Sequence, residues 1–83
     1  MPTPLKILLF ARARDLAGTG IGEVELFPEA TVADLKQALI QQYPQLRPLL
    51  PTLLVSLDNN YATDATPIGQ SREIACFPPV SGG

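Results

Sequence analysis

Runs of apolar residues with a two-residue repeat predict the strands of this protein, and they cover residues 5–11, 23–27, 53–57 and 73–77. In the second run charged and apolar residues alternate, which is typical of a strand with one buried face. Its short distance from the first run favours an antiparallel pair. The first and last runs are the most apolar, so we expect both of them near the centre of a sheet.

Each strand has two sets of side chains that point to opposite faces of a sheet. In the first strand the set expected to face the core is Leu5, Ile7 and Leu9, and the outward set is Lys6, Leu8 and Phe10. In the last strand the core set is Ile74 and Cys76, and the outward set is Glu73, Ala75 and Phe77. Both strands are therefore expected to present a phenylalanine on the outer face.

One helix is predicted between the second and third strands. Thr31 and Asp34 have the spacing of a capping box, in which each side chain accepts a hydrogen bond from the other residue's backbone N–H. Because Pro44 lacks an N–H and restricts the residue before it, the helix is expected to end at Tyr43. The prolines at positions 48 and 51 then predict an irregular connector. Apolar residues at helical spacing form one stripe, made of Val32, Leu35, Ala38, Leu39 and Tyr43.

The stretch 18–22 holds three glycines and predicts a loop, after a short helical turn at residues 12–16. A nucleotide-binding loop must follow a strand and open a helix, and its P-loop form also needs a Lys. Here the glycines lead into the second strand and no Lys lies among them, so we interpret the stretch as a hairpin connection. Arg12 and Arg14 are expected to share one exposed side of the turn, facing either solvent or an acidic partner.

The order of elements is strand, strand, helix, strand, a short strand or turn, and strand. This order predicts an α+β fold in which one main helix crosses one face of a mixed sheet. It is typical of the β-grasp, the ubiquitin-like architecture. The 83 residues are expected to form a single domain, 1–83, with a flexible C-terminal tail from about residue 79.

The composition argues against several classes of function. Six Lys and Arg against eight Asp and Glu give a net charge of −2, which argues against nucleic-acid binding because such proteins need a basic footprint. The absence of His removes the commonest general base and transition-metal ligand, so we expect no metal site. The single Cys cannot form an internal disulfide, and its apolar strand predicts a buried, structural thiol.

The same sequence gives no sign of a membrane segment. No apolar run approaches the ~20 residues that span a bilayer, and the first residues lack the pattern of a signal peptide. We therefore expect a cytoplasmic protein that does not act on a membrane. Without a general base or a reactive thiol, catalytic activity of the isolated chain is not expected.

A binding surface is predicted on the outer face of the sheet. Because a single helix can cover only one face, Phe10 and Phe77 would be exposed on neighbouring strands. Exposed aromatic and aliphatic side chains grouped in this way mark partner sites. The alternative is that residues 46–54 fold over this face and bury it.

The chain terminus is the strongest candidate for chemistry. Gly82 and Gly83 follow the abrupt Pro78-Pro79 pair, and without side chains they could enter a narrow channel in another protein. From Pro79 onward an extended tail reaches about 15 Å at ~3.3 Å per residue. The alternative is a frayed end without a role, as chain termini often are.

Three segments resemble the family of the small, sulfur-carrier subunit of molybdopterin synthase. Residues 77–83, Phe-Pro-Pro-Val-Ser-Gly-Gly, are similar to the C-terminal signature of that family. Residues 5–16 are similar to its first strand and turn, and residues 31–35 to its helix entry. The family usually has an Asp-Gly-Asp-Glu-Val type of turn where this chain has Gln-Ser-Arg-Glu-Ile at 70–74.

The resemblance implies a sulfur carrier for molybdenum cofactor synthesis. A ubiquitin-activating-like enzyme would adenylate the Gly83 carboxylate, using ATP that this chain does not itself bind. A desulfurase system would supply sulfur and leave a thiocarboxylate on Gly83, while Gly82 lets the tail thread into the large synthase subunit. There the thiocarboxylate would donate its sulfur to cyclic pyranopterin monophosphate.

The resemblance also implies the residues that contact these partners. They are Phe10, Tyr61, Phe77, Pro78, Pro79, Val80 and Ser81. Phe10 and Phe77 are also predicted from the strand pattern, whereas Tyr61 rests on the resemblance alone. The chain would be a non-catalytic subunit of a sulfurtransferase complex.

Three alternatives stay open. A thiazole-pathway sulfur carrier shares the Gly-Gly end, although the Pro-Pro-Val-Ser lead-in and the longer chain favour the molybdopterin version. A ubiquitin-like modifier would instead be joined to lysine side chains of other proteins. A non-covalent β-grasp adaptor would be indifferent to its last residue.

Overall fold

A computed structural model describes residues 3–69 and 71–79 of the chain. Five strands, two α-helices and one long 3₁₀ segment make up the described part. In chain order they are β1 (Thr3–Leu9), α1 (Ala11–Ala17), β2 (Ile21–Leu26), α2 (Val32–Gln42), the 3₁₀ segment (Pro44–Thr52), β3 (Leu54–Leu57), β4 (Asn60–Ala62) and β5 (Ile74–Phe77).

The strands form one mixed sheet in the order β2-β1-β5-β3-β4. β1 and β5 are parallel, whereas all other neighbours are antiparallel. The first and last strands therefore lie side by side in the interior of the sheet, as their apolar sequences predicted. Strand β1 begins at Thr3 rather than at residue 5, and it ends at Leu9.

The core lies between one face of the sheet and α2. Ile7 and Leu9 of β1 are buried there, whereas Leu5 is only half-buried. The helix contributes Val32, Leu35 and Leu39 as predicted, and also Ile40, which the predicted stripe omitted. Full burial of an aliphatic side chain stabilises the fold by about 1.5–3 kcal/mol. This face of the sheet is therefore committed to packing, and any partner must use another surface.

The capping box of α2 is confirmed. The Thr31 N–H donates to Asp34 Oδ2 at 2.9 Å, and the Asp34 N–H donates to Thr31 Oγ1 at 3.5 Å. The last helical residue is Gln42, and Tyr43 is the C-cap, with its N–H bonded to the Leu39 carbonyl at 2.7 Å. Pro44 ends the helix as expected, because it opens the 3₁₀ segment instead.

The loop predicted at residues 18–22 is shorter in the structure. β2 begins at Ile21, so Gly22 lies inside a strand and is buried. A Cβ at Gly22 would lie 3.1 Å from Tyr43 Cε2 and 3.4 Å from Leu9 Cδ1. Close packing against side chains of α2 and β1, rather than turn geometry, therefore favours glycine here.

The connector after α2 is more regular than its prolines suggested. It forms the 3₁₀ segment, in which Leu46 is completely buried and Leu49 and Leu50 pack partly against the core. The segment contacts α2 and α1, both on the helical side of the molecule. The alternative that residues 46–54 bury the outer face of the sheet is therefore wrong.

Candidate functional site

The outer face of the sheet carries a continuous row of side chains across all five strands. Cross-strand register aligns one residue from each strand in the order Ile21, Leu8, Ala75, Ser56 and Tyr61. The small Ala75 and Ser56 in the centre leave a shallow hollow of about 330 Å³. Ile21 and Tyr61 at the two ends of the row are exposed, whereas Leu8 and Ser56 are half-buried. Ala75, predicted to point outward, is buried at the bottom of the hollow between larger neighbours.

Phe10 borders this hollow and is 49% exposed. Its backbone N–H donates to the Cys76 carbonyl at 3.2 Å, which fixes Phe10 beside the end of β5. The next residue, Ala11, has a φ of 53°, a left-handed conformation that turns the chain sharply into α1. The predicted outward orientation of Phe10 is confirmed.

Phe77 is half-buried on the same face, and its ring packs against that of Tyr61. The ring centroids are 5.7 Å apart with a tilt of 60°, a favourable aromatic geometry. Tyr61 is 75% exposed despite this contact. We call Phe10, Tyr61 and Phe77, which line the same hollow, the aromatic patch.

The turn between β3 and β4 sets the position of Tyr61. Asp58 and Asn59 have φ values of 50° and 70°, so both are left-handed, as a tight two-residue hairpin requires. This turn pairs Leu57 with Asn60 and places Tyr61 opposite Ser56. The signal for Tyr61 was therefore present in the Asp-Asn turn that precedes it.

Asp58 also ties this hairpin to the start of β5. Its Oδ1 accepts hydrogen bonds from the backbone N–H groups of Arg72 and Glu73, both at 2.8 Å. The Asp58 N–H in turn donates to the Glu73 carbonyl at 2.8 Å. The residues that donate these hydrogen bonds are distant from Asp58 along the chain, so the local sequence gives no sign of them. Asp58 is a positioning residue for the aromatic patch.

The chain leaves the sheet beside the aromatic patch. β5 ends at Phe77, and it is followed by the half-buried Pro78 and the exposed Pro79. Neither proline has an N–H to extend a sheet ladder, which explains why the strand stops here. The predicted tail residues Val80, Ser81, Gly82 and Gly83 lie outside the described residues.

The Cys76 thiol is fully buried in the core, as predicted. Burial raises its pKa from 9.0 to about 12, although the positive charge of Lys36 opposes this effect. The thiol therefore stays protonated at neutral pH and is shielded from reagents. Within residues 3–69 and 71–79, no group of His, Cys, Asp and Glu has an arrangement that could hold a metal ion.

The glycines of residues 18–22 do not form a phosphate loop. Gly18 has a φ of 78° and caps α1 through its N–H, which donates to the Arg14 carbonyl at 3.0 Å. The stretch then enters β2 and not a helix, as the sequence indicated. In the described part of the chain no helix is long and apolar enough to cross a membrane.

A model of the ThiS family matches residues 7–83, which include the end of β1 and all the later strands and helices. The chain belongs to the ThiS family. Curated relatives are named molybdopterin synthase sulfur carrier subunit. The one from Escherichia coli (strain K12) is 35% identical over 82 residues, covering 95% of this chain and 99% of the relative. The one from Arabidopsis thaliana is 32% identical over 79 residues, covering 95% and 82% respectively.

Solved structures of other proteins share the architecture of this chain. The crystal structure of SAMP1 from Haloferax volcanii, a small archaeal modifier protein, superposes with a TM-score of 0.83 at 28% identity. The match covers 98% of this chain and 100% of SAMP1. The predicted ubiquitin-like β-grasp, a mixed sheet with one main helix across one face, is confirmed.

Proposed function

We propose that this protein is the sulfur carrier subunit of a molybdopterin synthase and that the C-terminal carboxylate of Gly83 is the group that carries sulfur. The observation that carries the proposal is the family match, which runs through the Gly-Gly end to residue 83. The names of the Escherichia coli and Arabidopsis thaliana relatives support the same activity.

Loading proceeds in two steps on an adenylating partner. The carboxylate of Gly83 attacks the α-phosphate of ATP, which forms an acyl-adenylate and releases pyrophosphate. Sulfide-level sulfur from a desulfurase system then forms a C–S bond while the C–O bond to AMP breaks, leaving a thiocarboxylate. A free carboxylate is a poor electrophile, so adenylation supplies the leaving group that makes this exchange feasible.

Sulfur transfer takes place on the large synthase subunit. The tail enters that subunit, and the thiocarboxylate donates its sulfur to cyclic pyranopterin monophosphate to build the dithiolene of molybdopterin. The sulfur forms a C–S bond to the substrate, and water then cleaves the acyl C–S bond, which restores the Gly83 carboxylate for another cycle. Two such deliveries supply the two sulfur atoms of the dithiolene. Gly82 and Gly83 suit a narrow channel because neither has a Cβ.

The carboxylate, and not the thiol, is the appropriate reacting group of this chain. Cys76 is buried and its raised pKa of about 12 leaves almost no thiolate at neutral pH. The sequence also holds no His that could activate a nucleophile. The proposal therefore assigns ATP binding and acid–base chemistry to the partners.

The aromatic patch supports the docking part of the proposal. It lies where the chain leaves β5, so a partner that binds Phe10, Tyr61 and Phe77 would receive the tail directly. Aromatic side chains in the centre of an interface often contribute most of the binding energy. We assign Pro78, Pro79, Val80 and Ser81 to the path from this patch to the active site of the partner.

The deciding experiment is an intact-mass measurement on the protein isolated from its native host. The proposal predicts a fraction whose mass differs from the carboxylate form by one oxygen-to-sulfur exchange, located by fragmentation to Gly83. The same spectrum establishes whether Gly83 is the terminal residue. A chain extended by one Ala beyond Gly83 is the matched control and should never show the exchange. Absence of sulfur on the wild-type chain in a host that makes molybdopterin would refute the proposal.

A second candidate is a protein modifier, which the similarity to SAMP1 favours. Such a protein would form an isopeptide bond between Gly83 and a lysine of another protein. Trypsin cuts after Arg72, so each target would keep residues 73–83 as a branch on its lysine. Recovery of such branched peptides, without thiocarboxylate, would establish the modifier function in place of the carrier function.

A further inference from the structure

Exposed arginines are concentrated on two neighbouring helical elements of this protein. Three of its four arginines, Arg12, Arg14 and Arg47, lie on α1 and the 3₁₀ segment and are exposed. α1 contacts both the 3₁₀ segment and β5, the strand from which the tail leaves. The 3₁₀ segment ends just before Leu54, which pairs with Phe77. The Phe10 N–H, at the start of α1, donates to the Cys76 carbonyl, so both elements adjoin the end of β5 from which the tail leaves. We call Arg12, Arg14 and Arg47 the basic rim.

The helix geometry of α1 spreads its two arginines apart. Ala13 is buried and Leu16 and Ala17 are half-buried, so these three residues mark the inner side of the helix. At about 100° per residue, Arg12 and Arg14 then lie on opposite flanks of that side. The expectation that they share one side is wrong, because residues two positions apart in a helix lie about 200° apart around its axis. Their separation makes the positive surface broader.

The basic rim is not neutralised within the domain. The only ion pair among the described residues joins Lys36 to Asp64 at 2.8 Å, and none involves the three arginines. Asp15 is the single carboxylate on α1 or the 3₁₀ segment. The remainder of the chain carries three cations against seven carboxylates. α1 and the 3₁₀ segment thus carry three positive charges against one negative charge, in a protein whose net charge is −2.

We propose that the basic rim is an interaction surface for an acidic protein surface around the mouth of the channel that admits the tail. Its role is to steer the tail end toward the partner during encounter. Complementary charge at the edge of an interface mainly raises the association rate, because the attraction acts before contact. This inference rests on the proposed function, since it requires a partner that takes up the tail.

The length of the tail indicates that the basic rim faces carboxylates on the surface of the partner and not the phosphates of a nucleotide in its active site. Four residues lie beyond Pro79, and when extended they reach at most about 13 Å. If the tail is extended in the channel, the reacting groups of the partner lie about that distance from the domain. The basic rim, which is part of the domain, then remains outside the channel. The interaction is also expected to be salt-sensitive, because the Debye length is about 8 Å at 0.15 M ionic strength.

The test is the association rate with the large synthase subunit and, separately, with the adenylating enzyme of the same host. The variants are Arg12→Glu and Arg47→Glu, and the matched control is Arg72→Glu, which changes the net charge equally away from the tail exit. Stopped-flow traces are recorded at 0.05 and 0.5 M salt, with thermal melts of each variant. All three residues are exposed, so each melting midpoint should shift by only a few degrees.

The expected result with at least one partner is a three- to tenfold slower association of both variants at low salt, against less than about twofold for Arg72→Glu. The difference should disappear at high salt, and dissociation should change little. Equal association rates for variants and control, or faster association of the variants, would refute the proposed role of the basic rim. Neither result would affect the proposed carrier function. Failure of the wild-type chain to bind either partner would overturn the proposed function as well.

Discussion

Asp58→Ala tests whether a single carboxylate holds the aromatic patch in place. The substitution removes the two hydrogen bonds that the N–H groups of Arg72 and Glu73 donate to Asp58 Oδ1. Each bond contributes about 0.5–1.5 kcal/mol. It also places Ala at a φ of 50°, where a side chain without a local acceptor costs roughly 1–2 kcal/mol. We therefore expect a loss of about 2–5 kcal/mol in the free energy of unfolding.

Urea denaturation followed by far-UV circular dichroism measures this loss, and Asp58→Asn is its control. Asn keeps an oxygen acceptor and tolerates the left-handed conformation, so its loss should stay below about 1.5 kcal/mol. Under conditions where the Ala variant is still folded, its affinity for the large subunit should also fall, since Tyr61 follows the same turn. If Asp58→Ala unfolds within about 0.5 kcal/mol of the wild type, the two hydrogen bonds do not hold the hairpin.

The remaining predictions concern the tail, the patch and the thiol. Deletion of Gly83 should abolish sulfur loading in a coupled assay with adenylating enzyme, ATP and sulfide while the melt stays unchanged, and normal loading would refute the role of the terminus. Phe77→Asp should weaken binding to the large subunit more than it lowers the melting midpoint, because a carboxylate is costly in an apolar interface; a collapsed melt would place Phe77 in the core. Cys76→Ala should cost about 1 kcal/mol or more yet still carry sulfur, and a folded variant without transfer would contradict this.

The raised pKa of Cys76 also predicts a pH dependence. The folded-state pKa of about 12 exceeds the ordinary value of 9.0, so the folded state favours the protonated thiol. This contribution to stability is complete below pH 9 and is lost as the pH rises toward 12. Between these values the wild type should therefore lose stability more steeply than Cys76→Ala. Parallel stability curves for the two proteins would show that the thiol is not desolvated.

The elements that the sequence predicted well are those determined by local patterns. The capping box at Thr31, the proline that ends α2 and the alternation in β1 all act within a few residues. Each of these patterns favours one backbone conformation, whatever the residues elsewhere in the chain. The outward orientations of Phe10 and Phe77 followed from the same alternation, so two of the three residues of the aromatic patch were predicted without the structure.

The features that were missed depend on contacts between distant residues. Leu46 is buried because the 3₁₀ segment packs under α1 and α2, and its surrounding prolines suggested only an irregular connector. Gly22 was interpreted as a loop residue because its packing against Tyr43 is invisible in the local sequence. Asp58 reaches Arg72 and Glu73 across the sheet. Predicting such contacts requires the order of the strands in the sheet, and local patterns alone do not specify that order.

The position of β5 has a consequence for how the protein is made. This strand is the last element of the described chain, yet it lies in the middle of the sheet between β1 and β3. During synthesis the earlier strands therefore have no central strand to join, and the halves β2-β1 and β3-β4 stay separate. Such non-local pairing delays folding until the distant segments can meet. The sheet closes only after β5 has left the ribosome, so the patch and the tail become available to partners together.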